Sequence, residues 1–92
     1  AVAALEKYNF TKGFWGANGI STQRGFSTPE LKEAMVKKKS MENSMERYVL
    51  ADDSKFGQIS SVTFAPFESA TVITTELSQE MYKRCGNVIN IE

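Results

Sequence analysis

Asp52-Asp53-Ser54-Lys55, followed by Phe56-Gly57, is the stretch of this sequence best equipped to do chemistry. A lysine held at a strand end pairs with a phosphate as a point charge, while a serine hydroxyl and backbone amides can complete the contacts to its oxygens. The same residues also suit a solvated loop in which an aspartate caps its own turn, and the residue types leave both readings open. A second candidate is Gly16-Ala17-Asn18-Gly19. Its glycines let a ligand approach the backbone, and the Asn18 amide can both donate to and accept from sugar hydroxyls. A tight turn accounts for that glycine pair as well. Lys37-Lys38-Lys39 reads as a solvated helix face, because consecutive helical positions point in different directions. Met35, Met41 and Met45 are expected in the core, and Phe14 and Trp15 read as packing residues beside a strand end.

Other chemistry is excluded by what the chain lacks. It has no histidine and one cysteine, Cys85, so disulfide frameworks, ordinary zinc sites and histidine-based triads are absent. No carboxylate pair stands at an informative spacing, and Cys85 has no histidine to activate it. No catalytic residue, metal or cofactor is therefore expected. Eleven basic and eleven acidic side chains cancel, which leaves no basic surface for a nucleic-acid backbone. Ninety-two residues, 41% of them hydrophobic and 24% charged, fit one small globular domain. The apolar runs are too short to span a membrane, and Glu6 and Lys7 stand where a signal peptide would be apolar, so the expected location is the cytoplasm. A chain that starts at Ala1 without a methionine reads as a trimmed piece or a proteolytic fragment of a longer protein, and processing before Ala1 would look the same.

The elements that must position these residues follow from periodicity and breakers. Ala1 to Tyr8 has helical composition, and Phe10 to Trp15 reads as a strand weakened by Gly13. The chain is expected to turn sharply through Gly16 to Ile20 and to continue as a polar loop from Ser21 to Gly25. Thr28-Pro29-Glu30, or a capping box of Ser27 with Glu30, predicts the start of the longest helix, which ends near Arg47. Tyr48 to Ala51 is a short buried strand, and the Asp52 to Gly57 loop leaves its end. A strand over Ile59 to Phe64 is broken by Pro66, and Ala70 to Thr74 is another buried strand. A helix over Glu76 to Cys85, a stop at Gly86-Asn87 and a last strand over Val88 to Ile91 complete the chain. This alternation predicts an α/β fold with a mainly parallel sheet and flanking helices, whose ligands sit beyond the carboxyl ends of the strands.

Gly16-Ala17-Asn18-Gly19-Ile20, then Ser27-Thr28-Pro29 with Glu33-Ala34-Met35-Val36-Lys37, then Leu50-Ala51-Asp52-Asp53-Ser54-Lys55-Phe56-Gly57, occur in an order and spacing that resembles the carboxy-terminal sensor domain of DeoR-family bacterial repressors, including those of lactose and fructose phosphotransferase systems. The resemblance runs from about Phe10 to Thr75. It implies a Rossmann-like half of a domain related to ribose-5-phosphate isomerase and CoA-transferase folds, with residues 1–92 as the C-terminal part of the sensor and no DNA-binding domain. It also implies a phosphorylated sugar effector, operator DNA bound through a missing N-terminal helix-turn-helix domain, and a homo-oligomer. Gly16, Asn18, Gly19, Lys37, Asp52, Ser54 and Lys55 become the expected ligand-binding residues. Lys37 falls near the place where the related isomerases carry their catalytic glutamate, which implies binding without turnover. Thr75 stands where the family often has aspartate. A sugar-phosphate isomerase-like fragment and an oligomerisation module are the alternative readings.

Overall fold

The computed structural model describes residues 9–91, so the helix expected over Ala1 to Tyr8 lies outside the described residues. Two sheets and two helices build it. The larger sheet is parallel and holds β1 (Phe10–Gly16), β4 (Ser44–Leu50), β6 (Thr71–Thr75) and β7 (Val88–Ile91), side by side in that order. The smaller sheet is antiparallel, with β2 (Gly19–Ser21), β3 (Gly25–Thr28) and β5 (Val62–Ala65). Helix α1 spans Leu31–Glu42 and the single turn α2 spans Glu80–Lys83. The α/β class with a parallel sheet is as the sequence implies; the second sheet is an addition to it.

The ends of α1 depart from expectation for local reasons. Thr28 does not cap it, because Thr28 is the last residue of β3, is fully buried, and donates its Oγ1 to Asn18 Oδ1 at 3.4 Å. Pro29 has no N–H to give the sheet and so ends β3, and the N-cap is Glu30, without a side-chain bond. Ser27 is likewise in β3, where its Oγ accepts from the Ser60 amide at 2.9 Å. At the other end the helix stops at Glu42 rather than Arg47. Arg47 Nε reaches back to Met41 O at 2.6 Å and Ser44 Oγ donates to Ser40 O at 2.7 Å, which satisfies carbonyls the helix leaves open. Residues 44–50 are thereby free to pair in parallel with β1, from Phe10 opposite Ser44 to Gly16 opposite Leu50.

Only Met41 joins the core, at 3% exposure; Met45 lies on β4 and Met35 on the outer face of α1, and both are exposed. The helix expected over Glu76 to Cys85 contracts to Glu80–Lys83, because the chain reverses at Glu76 with φ 53° and buries Leu77 first. Its stop is Arg84 rather than Gly86-Asn87, and Asn87 instead donates Nδ2 to Phe67 O and Ala70 O, both at 2.9 Å.

One face of the parallel sheet carries the whole core. Val49 and Val72 are paired across β4 and β6 and fully buried, and Trp15 on the same face donates Nε1 to Ser40 Oγ of α1 at 2.8 Å. The small sheet, α1 and α2 all pack on this side, through Phe26, Phe64, Ala34 and Tyr82. A sheet whose strands are laid down in one direction, with crossovers of one hand, collects its connections on one side. The opposite face presents Phe14 stacked on Tyr48 at 5.3 Å, then Leu50, Ile73 and Ile89 in one lateral row, then Ile91. Phe14, Leu50, Ile89 and Ile91 are 58, 47, 48 and 51% exposed.

Candidate functional site

The carboxyl ends of β1, β4 and β6 are Gly16, Leu50 and Thr75, and the segments that leave them meet at one edge of the sheet. The Asp52 to Gly57 loop begins with Asp52 as the N-cap of a single 3-10 turn, Asp53–Lys55. Asp52 Oδ1 accepts from the Ser54 amide at 3.1 Å and from the Ser54 hydroxyl. That bond from Ser54, with the field of Lys55 as a smaller contribution, holds the Asp52 carboxyl below its ordinary pKa. Gly57 follows at φ 84°, a left-handed backbone that suits glycine, and its amide donates to Ile20 O at 2.7 Å. A lone parallel bridge between Ile20 and Phe56 adds to that contact, so the loop is fastened to the segment after β1.

The loop offers a ligand less than its composition implies. The amides of Ser54, Lys55, Phe56, Gly57 and Gln58 donate in turn to Asp52 Oδ1, Asp52 O, Asp53 O, Ile20 O and Lys55 O. The amides of residues 54–58 are therefore already paired in this conformation, and the Ser54 hydroxyl proton is spent on Asp52. Lys55 is the charged donor of the loop: it is half-buried and forms no ion pair among the described residues.

The glycine-rich candidate is also a fastened segment. Asn18 is exposed, with its amide bonded to Ser27 O at 2.9 Å and its Oδ1 held by Thr28. The turn between β1 and β2 needs no positive φ. Gly19 is glycine for a different reason, since a Cβ there would stand 2.5 Å from Gln58 O and 2.6 Å from Ser27 Oγ. Lys37 lies beside Gly16: its ammonium donates to Gly16 O at 2.8 Å, pairs with Glu33 at 2.9 Å and sits 5.2 Å from the Phe64 ring centroid. Its side chain is 16% exposed, so the solvated-face reading holds for Lys38 but not for Lys37. The structure thus brings Gly16 together with Lys37 and Asn18 with the β3 end, while Asp52, Ser54 and Lys55 follow the neighbouring strand β4, whose Leu50 pairs with Gly16. An open cavity of 670 Å³ lies further along the sheet edge, lined by Thr75, Glu76, Leu77, Lys83, Asn90 and Ile91, and none of the seven candidate residues lines it.

Two residues that sequence reasoning passed over fasten the edge. Asp53 accepts from both the amide and the hydroxyl of Ser78, and Gln79 Nε2 donates to Phe56 O at 2.8 Å. Neither partner is near in sequence, so no local pattern points to them.

With this geometry in view, the family is decided by a match of residues 1–77 to the model of the DeoR C terminal sensor domain. The chain belongs to that family. Among curated relatives, it is 44% identical over 79 residues to an uncharacterized HTH-type transcriptional regulator, FruR, of Bacillus subtilis, covering 86% of this chain and 32% of the relative. It is 39% identical over 86 residues to the HTH-type transcriptional regulator IolR of the same organism, covering 91% and 34%. To the lactose phosphotransferase system repressor of Staphylococcus aureus it is 30% identical over 80 residues, covering 87% and 32%. The chain spans about a third of the length of these relatives. Among the described residues of this DeoR-type chain, no helix is long and apolar enough to cross a membrane.

Proposed function

We propose that this chain is the effector-sensing C-terminal part of a cytoplasmic DNA-binding repressor of sugar metabolism, and that it binds a phosphorylated sugar without turning it over. The observation that carries the reading is Lys55, an ammonium without an ion pair among the described residues, on a short 3-10 turn at the sheet edge where α/β folds bind ligands. A lysine of this kind meets a phosphate as a point charge. Asn18, exposed on the adjoining turn, supplies an amide for sugar hydroxyls. The nearest lysine on the helix, Lys37, is tied to Gly16 and Glu33 and provides no base for proton abstraction, which favours sensing over isomerisation.

The half-exposed apolar face of the sheet supports the placement of this chain as one part of a larger sensor. All-parallel sheets are covered on both faces, and among the described residues this one is covered on one. In the whole regulator the remaining polypeptide covers that face and supplies the phosphate cradle that the Asp52 to Gly57 loop lacks. Operator DNA is bound by a helix-turn-helix domain outside this chain, and the sensor works as a homo-oligomer whose state shifts with the effector. Calorimetry of the full-length protein against a panel of pentose and hexose phosphates tests the reading. Saturable binding of at least one, weakened in Lys55→Ala, is expected; a flat response across the panel removes the sugar-phosphate assignment.

A further inference from the structure

Asp53 is a charged group that the sugar-phosphate reading leaves without a task. Its Oδ1 accepts from Ser78 N at 2.9 Å and from Ser78 Oγ at 3.0 Å, and its Oδ2 stands 2.9 Å from the same hydroxyl. The next residue, Gln79, holds Phe56 O. Two consecutive residues between β6 and α2 therefore grip both ends of the segment 53–56, with Lys55 between them.

We infer that Asp53 is a positioning residue that docks the Lys55 turn on the β6–α2 connection and so fixes where the Lys55 ammonium meets its ligand. The consequence for ligand binding rests on the sugar-phosphate reading; the docking itself does not. The other bonds of the 3-10 turn are local, from Ser54 to Asp52, Lys55 to Asp52 and Phe56 to Asp53, and they shape the turn without orienting it against the sheet. A three-residue turn has little persistence of its own. Among the described residues, the Asp53 to Ser78 contact is the one long-range bond that reaches the side chains of the turn.

Ser78 is itself well anchored. Glu76 adopts φ 53°, a left-handed backbone uncommon outside glycine, and the reversal it makes buries Leu77 to 3% exposure. Asn90 Oδ1 of β7 accepts the Leu77 amide at 3.2 Å. Within α2, Tyr82 is buried, packs edge-on against Phe56 at 5.0 Å and donates its hydroxyl to Ile20 O at 3.2 Å. The Asp53 carboxylate thus ties the ligand loop to a buried part of the fold, through bonds strengthened by its charge.

The test uses the full-length protein. Hydrogen exchange without ligand is compared for wild type, Asp53→Ala, Asp53→Asn and Ser78→Ala. Asp53→Ala is expected to raise exchange roughly tenfold in both 53–57 and 76–79, as loss of a charge-assisted bond implies. Asp53→Asn, which keeps an acceptor for Ser78 N, is expected to restore part of the protection, and Asp53→Ala with Ser78→Ala to be no worse than Asp53→Ala alone. Unchanged exchange in Asp53→Ala overturns the docking whatever the ligand proves to be. Calorimetry with the sugar-phosphate panel is then expected to show affinity roughly tenfold weaker in Asp53→Ala, partly restored in Asp53→Asn. Wild-type binding with undiminished affinity in Asp53→Ala overturns the positioning role. A flat wild-type response alongside faster exchange in the variant removes the sugar-phosphate reading and leaves the docking established.

Discussion

Leu50 and Ile59 offer a matched pair for asking whether the bare sheet face is buried in the whole regulator. Their exposures are similar, 47% and 60%, but Leu50 stands in the lateral row with Ile73 and Ile89, whereas Ile59 lies in the loop before β5. If polypeptide outside this chain covers the face, Leu50 loses its remaining exposed half. Full burial of a leucine is worth about 2 kcal/mol, so that half is worth about 1 kcal/mol. Leu50→Asn forfeits this, forfeits about as much again from the burial already present, and adds about 1–2 kcal/mol for a buried amide without a partner. The total is about 3–4 kcal/mol in the full-length protein, while Ile59→Asn is expected to stay within about 0.5 kcal/mol, as an exposed surface change does. For a sensor of 150–250 residues each kcal/mol moves the midpoint by about 2–4 °C, so the two variants separate by roughly 6–15 °C. Differential scanning calorimetry or urea titration followed by circular dichroism reads the difference. Equal, small effects for both variants would show that the face is solvated in the whole protein and sink the half-domain reading.

Lys55→Ala is expected to weaken sugar-phosphate binding about tenfold, the loss of one charged hydrogen bond, and to leave urea stability within about 0.5 kcal/mol. Gly19→Ala forces a Cβ against Gln58 O and Ser27 Oγ; the expected loss of stability is about 1–3 kcal/mol, measured by urea titration. Ser54→Ala removes the donor that lowers the Asp52 pKa, so an NMR pH titration is expected to place the Asp52 midpoint above that of wild type. The sign for stability follows. A carboxylate with a depressed folded pKa stabilises above its unfolded pKa and loses that contribution as pH falls through the folded value, so wild type is expected to show a larger acid-side loss than Ser54→Ala.

How far the fold could be read in the sequence depended on whether a local pattern had one structural answer. The strands Phe10–Gly16, Thr71–Thr75 and Val88–Ile91 follow from β-branched and aromatic runs closed by breakers. Ser44–Leu50 was obscured, since Met41 and Met45 repeat at helical spacing and the signal to stop is Arg47 folding back on Met41 O, a contact that no propensity contains. The antiparallel sheet was hidden by strands of three and four residues, Gly-Ile-Ser and Gly-Phe-Ser-Thr, each with a single large apolar residue among turn and cap formers, which read as turn, loop and helix start. At the candidate site, the position of the Asp52 to Gly57 loop was legible and its spent amides were not, because their acceptors are set by the turn geometry. Asp53 was indistinguishable from Asp52 until Ser78, 25 positions away, came within reach.

The spent amides also constrain how the proposed phosphate ligand could be recognised. A cradle needs several free N–H groups pointing at one centre, and residues 54–58 have none to give. What this edge contributes is one cation on a clamped turn, which discriminates by charge and distance rather than by shape. A ligand held only by Lys55 would bind weakly and with strong salt dependence, whereas a ligand whose phosphate is cradled elsewhere gains from Lys55 only if the turn is already in place. The clamp from Asp53 to Ser78 meets that requirement, because a lysine on a loose turn loses part of its binding energy to ordering the loop. The proposed sensing without turnover fits the same division: Lys37 is locked to Gly16 and Glu33, the Asp52 carboxylate is engaged by Ser54, and Lys55 supplies charge.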